Sequence, residues 1–359
     1  MTSPSSLLKA ASRLLLGLAL LVPMALLLAV AVVALSAPAR AEEPAPAAAT
    51  CPGTSLLPRL RETERFRPLL EKAEATPNGR GKLFRIEREG LAPSYLYGTM
   101  HMTDPRVLAL EPQADSALDG AGRLVIETTD VLKGPSAQLA VLARPDLLNL
   151  PAGKRLGDYL TPEMRGKVEA KLLSYGIPFG SVETLQPWFF SVGLLLPACE
   201  MQRQAAGAEV LDVSLATRAE KAGKPVLGLE TAVEQLEAMG SLSMDLQVQT
   251  LLATLELKPQ MPDIFETMIE LYLSGDIATI SAVAEAAMPL SEVPEESVAA
   301  YTEFEDRIIE TRNHTMATRL QPILKEGGAF VAVGALHLPG EAGLVELLRK
   351  AGYRVTRAD

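Results

Sequence analysis

Two of the three histidines in this chain end the same local pattern. His101 and His337 each follow a run of mostly apolar residues and the spacing Gly-x-x-His, although more than 200 residues separate them. An apolar run that ends at glycine is typical of a buried strand leaving a sheet, and ligands of open α/β sheets bind beyond such strand ends. Because imidazole binds metals and also acts as a general acid or base, the pair predicts one shared metal or catalytic centre. The alternative is two structural histidines, each hydrogen-bonded to a backbone carbonyl.

Two glutamates also end apolar segments. Glu127 and Glu230 each follow a predicted strand and precede a threonine. A carboxylate in this position can bind a metal or activate water, and two histidines with one carboxylate form a recurring hydrolytic zinc site and a non-haem iron site. We therefore predict His101, His337, Glu127 and Glu230 as metal ligands. Glu127 acts either as the third ligand or as a general base, and Glu230 completes the set or orients a ligand. Glu230 also precedes a predicted helix start, where negative charge is favourable for structural reasons alone.

Arg312 and Asn313 lie in the predicted helical stretch 304–320. An arginine there could bind a substrate carboxylate, or steady an active-site glutamate through paired hydrogen bonds. We assign Arg312 a catalytic role beside Glu127. The alternative is a solvated helix face.

The hydrophobic pattern predicts strands near both ends of the chain and helices between them. Strands are predicted over residues 83–89, 94–97, 123–127, 224–229, 329–333 and 353–356. The first two form a hairpin that delivers His101, and one helix is predicted from Pro105 to about Leu118. This order indicates an α/β fold with a central mixed, largely parallel sheet built from both ends of the chain. A large helical insertion is expected at about 135–222 and 243–320.

The N-terminus has the pattern of a targeting segment. Lys9 and Arg13 precede an apolar run over 14–35, and residues 39–41 (Ala-Arg-Ala) form a cleavage pattern. We favour a cleaved signal peptide over 1–41; the alternative is a retained membrane anchor, because the run approaches the length that spans a bilayer. Residues 42–50 are a linker. The chain is thus predicted to be exported, either periplasmic or membrane-anchored and facing the periplasm.

Charge and cysteine content restrict the partners and the compartment. The formal net charge is −10, and no strongly basic run occurs, so nucleic acid and anionic lipid surfaces are not expected partners. Cys51 and Cys199 are the only cysteines. In an oxidising compartment they are expected to form one disulfide; the alternative is two free buried thiols.

Several motifs together resemble the TraB/GumN family. They are the two Gly-x-x-His motifs, Glu127, the stretch 224–231 (KPVLGLET), Arg312-Asn313-x-x-Met316 and the tail 334–355. That family is similar to the Tiki metalloproteases and, more distantly, to erythromycin-esterase-like and ChaN-like proteins. The resemblance covers roughly residue 51 to the C-terminus and implies one α/β domain over 51–359. It also implies a divalent-metal site built from the Gly-x-x-His histidines and acidic residues.

We therefore expect an exported hydrolase that depends on a divalent metal (Mn, Co or Zn), in first place a peptidase. Its partner would be a peptide or small-molecule substrate. Two alternatives remain open. The chain could be a non-catalytic protein that binds a peptide or signal molecule in the same cleft, or a metal-free esterase-like hydrolase that uses a histidine as base.

Overall fold

A computed structural model describes residues 51–132, 135–287, 303 and 305–359. The predicted signal peptide and linker lie outside this part of the chain. Within the described ranges, no helix is both long enough and apolar enough to span a bilayer.

The described strands form one six-stranded sheet with the order β4-β3-β5-β2-β1-β6. The strands are β1 (Leu83–Glu87), β2 (Ser94–Thr99), β3 (Arg123–Ile126), β4 (Val226–Gly228), β5 (Ala329–Gly334) and β6 (Arg354–Arg357). Strands β4, β3, β5 and β2 are mutually parallel, whereas β1 pairs antiparallel with β2 and β6. The predicted mixed, largely parallel sheet with α/β architecture is confirmed.

The central strand β5 is buried along its whole length. Its side chains alternate between two apolar clusters, with Phe330 and Ala332 on one face of the sheet and Val331 and Val333 on the other. A strand that is buried on both faces has a continuous apolar sequence rather than an alternating one. The run before Gly334 is therefore typical of the middle of a parallel sheet.

Helices cover both faces of the sheet and fill most of the chain between β3 and β5. They are α1 Leu57–Arg61, α2 Phe66–Glu74, α3 Pro105–Leu108, α4 Pro112–Gly120, α5 Pro135–Leu142, α6 Pro145–Leu148, α7 Pro162–Ser174, α8 Pro187–Leu195, α9 Ala198–Ala205, α10 Leu211–Lys221, α11 Ala232–Gly240, α12 Met244–Leu257, α13 Met261–Leu273, α14 Ile277–Ala287, α15 Thr311–Leu324 and α16 Leu344–Lys350.

One predicted helix was wrong. The segment expected to form a single helix from Pro105 to about Leu118 is split into α3 and α4. Ala109 and Glu111 both have extended backbone conformations. Pro112 explains the break, because proline has no N–H to continue the helix and it forces the preceding residue out of the helical region.

The predicted disulfide between Cys51 and Cys199 is confirmed and joins residues 148 positions apart. It attaches the first described residues to the start of α9. The same arm then runs along α13, where the Thr54 N–H donates to Asp263 Oδ1 (2.8 Å) and the Leu56 N–H donates to Thr267 Oγ1 (2.8 Å). The disulfide therefore ties the arm to α9, and the two hydrogen bonds hold the same arm against α13.

Candidate metal centre

The four predicted ligands follow the carboxyl ends of four neighbouring parallel strands. In spatial order, Glu230 follows β4, Glu127 follows β3, His337 follows β5 and His101 follows β2. The carboxyl ends of parallel strands meet at one edge of a sheet, where open α/β folds bind ligands. The two histidines and two glutamates, scattered over the sequence, thus reach the same edge.

Three of these side chains converge on the space above Gly334. A Cβ atom placed on Gly334 would lie 3.2 Å from Glu127 Oε1, 3.5 Å from His101 Nε2 and 3.5 Å from His337 Cδ2. The His337 Nε2 and Glu127 Oε1 atoms are 3.8 Å apart. Glycine therefore leaves free the volume that the two imidazoles and the carboxylate enclose.

Gly98, the glycine of the first motif, is required for a different reason. A Cβ atom on Gly98 would lie 2.7 Å from Leu338 Cδ1 and 3.0 Å from Ala335 Cα. Backbone and side chain of the second Gly-x-x-His turn therefore pack directly on the first. Gly98 brings the two motifs together, and Gly334 keeps the space between their histidines open.

Asn313 fixes the orientation of His337. The Asn313 side chain donates from Nδ2 to the Ala342 carbonyl (2.9 Å), so its Oδ1 accepts from His337 Nδ1 at 2.7 Å. The ring therefore carries its hydrogen on Nδ1, and Nε2 keeps a lone pair. This Nε2 atom is buried and has no hydrogen-bond partner. Burial lowers the pKa of His337 to about 3, so the ring stays neutral and can bind a cation.

Asp212, in the first turn of α10, fixes the orientation of His101. Its Oδ2 lies 2.5 Å from His101 Nδ1, and its Oδ1 accepts a hydrogen bond from Thr99 Oγ1 at 2.7 Å. Burial alone would lower the pKa of His101, but the carboxylates of Asp212 and Glu127 outweigh it and raise that pKa above its ordinary value. The surroundings of the His101 ring thus favour a positive charge.

Arg312 joins the two glutamates on the other side of the centre. Its Nη2 donates to Glu127 Oε2 (2.7 Å) and to Glu230 Oε2 (2.7 Å), and its Nε lies 3.1 Å from both Glu230 oxygens. Gln235 donates to Glu127 Oε2 (3.1 Å) and to Glu230 Oε2 (3.2 Å). Glu127 Oε1 accepts from the Gly334 N–H at 2.7 Å. Glu127 therefore reaches the histidines through Oε1, whereas both oxygens of Glu230 face Arg312.

The electrostatic state of Glu127 follows from these neighbours. Burial alone would raise its pKa, but the Arg312 guanidinium, the two imidazoles and the Gly334 N–H hold the pKa of this carboxyl well below its usual range. The carboxylate is therefore ionised at any physiological pH.

The alternative prediction that Arg312 lies on a solvated helix face is wrong. Arg312 and Asn313 are buried, whereas the next residue, His314, is exposed.

Comparison with known proteins places the chain in a family. The TraB/PrgY/gumN family profile matches residues 82–357, most of the chain. The chain belongs to this family. It is 29% identical to "Metalloprotease TIKI1" of Danio rerio over 317 residues, covering 76% of this chain and 62% of that protein.

Two further relatives show the same relationship. "Metalloprotease TIKI1" of Homo sapiens is 24% identical (77% of this chain, 61% of that protein), and "Metalloprotease TIKI2" of Xenopus tropicalis is 27% identical (73% and 57%). The chain thus spans about three fifths of the length of these relatives. No solved structure matches this TraB/PrgY/gumN protein.

Because the relatives are named metalloproteases, a divalent metal is implied for the family. In the described part of the chain, no group of three or more His, Cys, Asp or Glu side chains stands in position to hold a metal ion. The donor atoms nevertheless fit in kind. His337 Nε2 is a buried lone pair without a partner, and Gly334 leaves the adjoining space open. In addition, each histidine has its Nδ1 held by an oxygen, which is how proteins orient metal-binding imidazoles.

Sequence reasoning missed two residues of this TraB/PrgY/gumN site, Asp212 and Gln235. Asp212 carried one usable signal: it is an acid flanked by Val210, Leu211 and Val213 at the start of a helix, which indicates a buried carboxylate with a partner. Gln235 carried none, because an amide on a mixed helix face is more often solvated. Asp212 meets His101, and Gln235 meets Glu127, across more than 100 positions of sequence.

Gly334→Ala should impair the centre more than the fold. The added methyl would sit among the ligand atoms, 3.2 Å from Glu127 Oε1, so we expect metal affinity to fall about 10–100-fold, as for loss of a supporting contact. Isothermal titration with Mn²⁺ or Zn²⁺ measures this. Gly120→Ala is the matched control: a methyl there would meet nothing within 4 Å and lies far from the ligand atoms, so metal affinity should stay as in wild type. Wild-type metal affinity in Gly334→Ala would contradict the shared space.

Proposed function

We propose that this protein is a metal-dependent peptidase whose centre lies above Gly334, at the carboxyl ends of β2, β3 and β5. The observation that carries the proposal is the convergence of His101 Nε2, Glu127 Oε1 and the His337 ring on that space. Metal-dependent hydrolases commonly use two histidines, one carboxylate and an open position. The relatives that are named metalloproteases support the same reaction class.

His101, His337 and Glu127 would hold the divalent ion (Mn, Co or Zn). When bound, the ion supplies polarisation of a substrate carbonyl and a lower pKa for a bound water. The protein supplies the orientation: Asp212 holds His101, and Asn313 holds His337. These contacts hold both rings through Nδ1, so that Nε2 is the ring atom left for the ion.

Glu127 suits the role of ligand better than that of general base. A general base works best when its pKa lies near the operating pH, whereas Arg312 and the imidazoles hold the pKa of Glu127 well below its usual range. An anion that does not take up a proton is a stable ligand for a cation. We therefore favour Glu127 as the third ligand.

Glu230 and Arg312 would act by positioning Glu127. The Arg312 guanidinium donates to both carboxylates, and Glu230 accepts from two of its nitrogen atoms. The geometry favours a steadying role for Arg312 over binding of a substrate carboxylate. Likewise Glu230 is better placed to orient the site from outside than to touch the ion itself.

We propose a peptide substrate, because the relatives are named metalloproteases. We also propose export to the periplasm or to its membrane surface. The N-terminal pattern of basic residues and an apolar run supports export, and so does the Cys51–Cys199 disulfide, since such bonds persist in oxidising compartments.

Metal analysis together with a peptide-library cleavage assay tests the proposal. We expect a bound divalent ion in the purified protein, cleavage that stops with a chelator, and recovery with one of Mn, Co or Zn. Glu127→Gln should lose both the ion and cleavage, whereas the exposed-surface control Glu237→Gln should keep both.

Two results would overturn the proposal in different directions. Cleavage that is insensitive to chelator would favour a metal-free hydrolase. In such an enzyme His101 would be the base, and the Asp212 carboxylate would orient its ring. Peptide binding without cleavage that survives Glu127→Gln would favour a binding protein.

A further inference from the structure

A second buried carboxylate holds the loop that carries His101. Glu200, in α9, has an exposed fraction of 0%. Its Oε1 accepts from the Thr103 N–H (2.8 Å), and its Oε2 accepts from Thr103 Oγ1 (2.9 Å). Thr103 comes two residues after His101. Both oxygens of a fully buried anion are therefore bonded to the segment that leaves β2 with the histidine.

The helix that carries Glu200 is itself anchored. Cys199, the preceding residue, forms the disulfide to Cys51. Gln204, one turn later, donates to Glu200 Oε1 at 3.1 Å and fixes the carboxylate from its own helix. The Glu200 side chain is thus held at a defined position relative to the rest of the fold.

The same loop is bound a second time, just beyond Thr103. Asp104 caps α3 by accepting from the Arg106 N–H (2.9 Å), and the Arg106 guanidinium makes two bonds of 2.7 Å to Glu266 of α13. The loop that follows β2 is therefore tied to α9 at one residue and to α13 a few residues later.

Stability alone does not account for a charge at this place. Burying a carboxylate costs free energy that its hydrogen bonds and the Arg203 guanidinium, 3.7 Å from Glu200 Oε2, offset, and apolar residues in place of buried ionic groups are often neutral or stabilising. Met100 and Met102, on either side of His101, already provide buried apolar contacts. What the two hydrogen bonds of Glu200 add is a fixed direction and position for the loop.

We propose that Glu200 is a positioning residue for His101: through Thr103 it sets where the backbone places the imidazole opposite His337 and Glu127. This inference rests on the proposed metal centre. Asp212 fixes the rotation of the His101 ring, but the location of the ring depends on its backbone. Misplacement of a reacting or binding group by about 1 Å can cost about 100-fold in activity.

The test compares Glu200→Ala and Glu200→Gln with the exposed control Glu209→Ala in the full exported chain. The first readout is the imidazole resonances of the three histidines in the metal-free protein, by ¹⁵N-labelled NMR. We expect Glu200→Ala to shift and broaden the His101 signals while the His337 signals stay in place. The second readout is the dissociation constant for Mn²⁺ or Zn²⁺, which should rise about 10–100-fold.

Glu200→Gln should recover most of the affinity, because its amide can keep both contacts with Thr103: the carbonyl accepts from the N–H, and the NH2 donates to the hydroxyl oxygen. If Glu200→Ala lowers the thermal midpoint but leaves the His101 signals and the metal affinity of the folded protein as in wild type, the proposal is overturned. If Glu200→Ala does not fold, Thr103→Val decides: it removes only the hydroxyl donor, and unchanged His101 signals there would equally overturn it. If the His101 signals move although the wild type binds no divalent ion, the positioning role stands and the proposed function fails.

Discussion

His101→Ala and His337→Ala should each abolish divalent-metal binding while the sheet remains folded. Each change removes one of the two imidazoles that converge above Gly334. We expect affinity to fall by more than about 100-fold, since loss of a supporting contact alone costs ~10–100-fold. His337→Ala also leaves Asn313 Oδ1 without its partner, at a cost of about 1–3 kcal/mol in the free energy of unfolding.

Metal content and thermal melting, measured together, separate binding from folding. A metal at ~100 times its dissociation constant stabilises a protein by about 2.7 kcal/mol. The thermal midpoint of the wild type should therefore rise with added metal, whereas that of either variant should not. His314→Ala is the matched control, because His314 is exposed and lies outside the centre. Full metal content in both site variants would refute the assignment of the ligands.

Arg312→Met should destabilise the fold strongly even without metal. Arg312 is the buried cation that forms ion pairs with both Glu127 and Glu230. Removing one partner of a buried ionic group leaves an uncompensated charge and typically costs 3–5 kcal/mol. Chemical denaturation followed by circular dichroism should show a decrease of about that size in the free energy of unfolding.

The triple variant Glu127→Gln/Glu230→Gln/Arg312→Met tests the cause. If the loss comes from unpaired charge, removing both carboxylates should restore much of the stability of Arg312→Met, although the metal site stays inactive. A triple variant that is less stable than Arg312→Met alone would show that packing of the guanidinium, rather than its charge, is what matters.

The same cluster predicts how stability depends on pH. The folded-state pKa of Glu127 is lower than its ordinary value of 4.5. A group of this kind adds stability above its unfolded pKa and loses it as the pH falls through the folded value. The free energy of unfolding of the metal-free protein should therefore decrease as the pH is lowered below about 4.5. In Glu127→Gln this part of the pH dependence should be absent.

The sequence alone determined the local features of this protein. Hydrophobic alternation and glycine punctuation placed each strand within a few residues, and so placed His101, Glu127, Glu230 and His337 at strand ends. These features can be predicted locally because the spacing of apolar residues along a strand or helix indicates which side chains are buried. The break at Pro112 is also local, since a proline ends a helix whatever its tertiary surroundings.

Only the tertiary structure decided which strand ends are neighbours and what surrounds them. The order β4-β3-β5-β2 makes one centre out of four separate signals. The contacts of Asp212 with His101, Arg312 with Glu127, and Glu200 with Thr103 join positions 111, 185 and 97 residues apart. A hydrophobic pattern reports that a residue is buried but not which distant residue it meets, because that depends on how the helices between β3 and β5 fold back over the sheet edge.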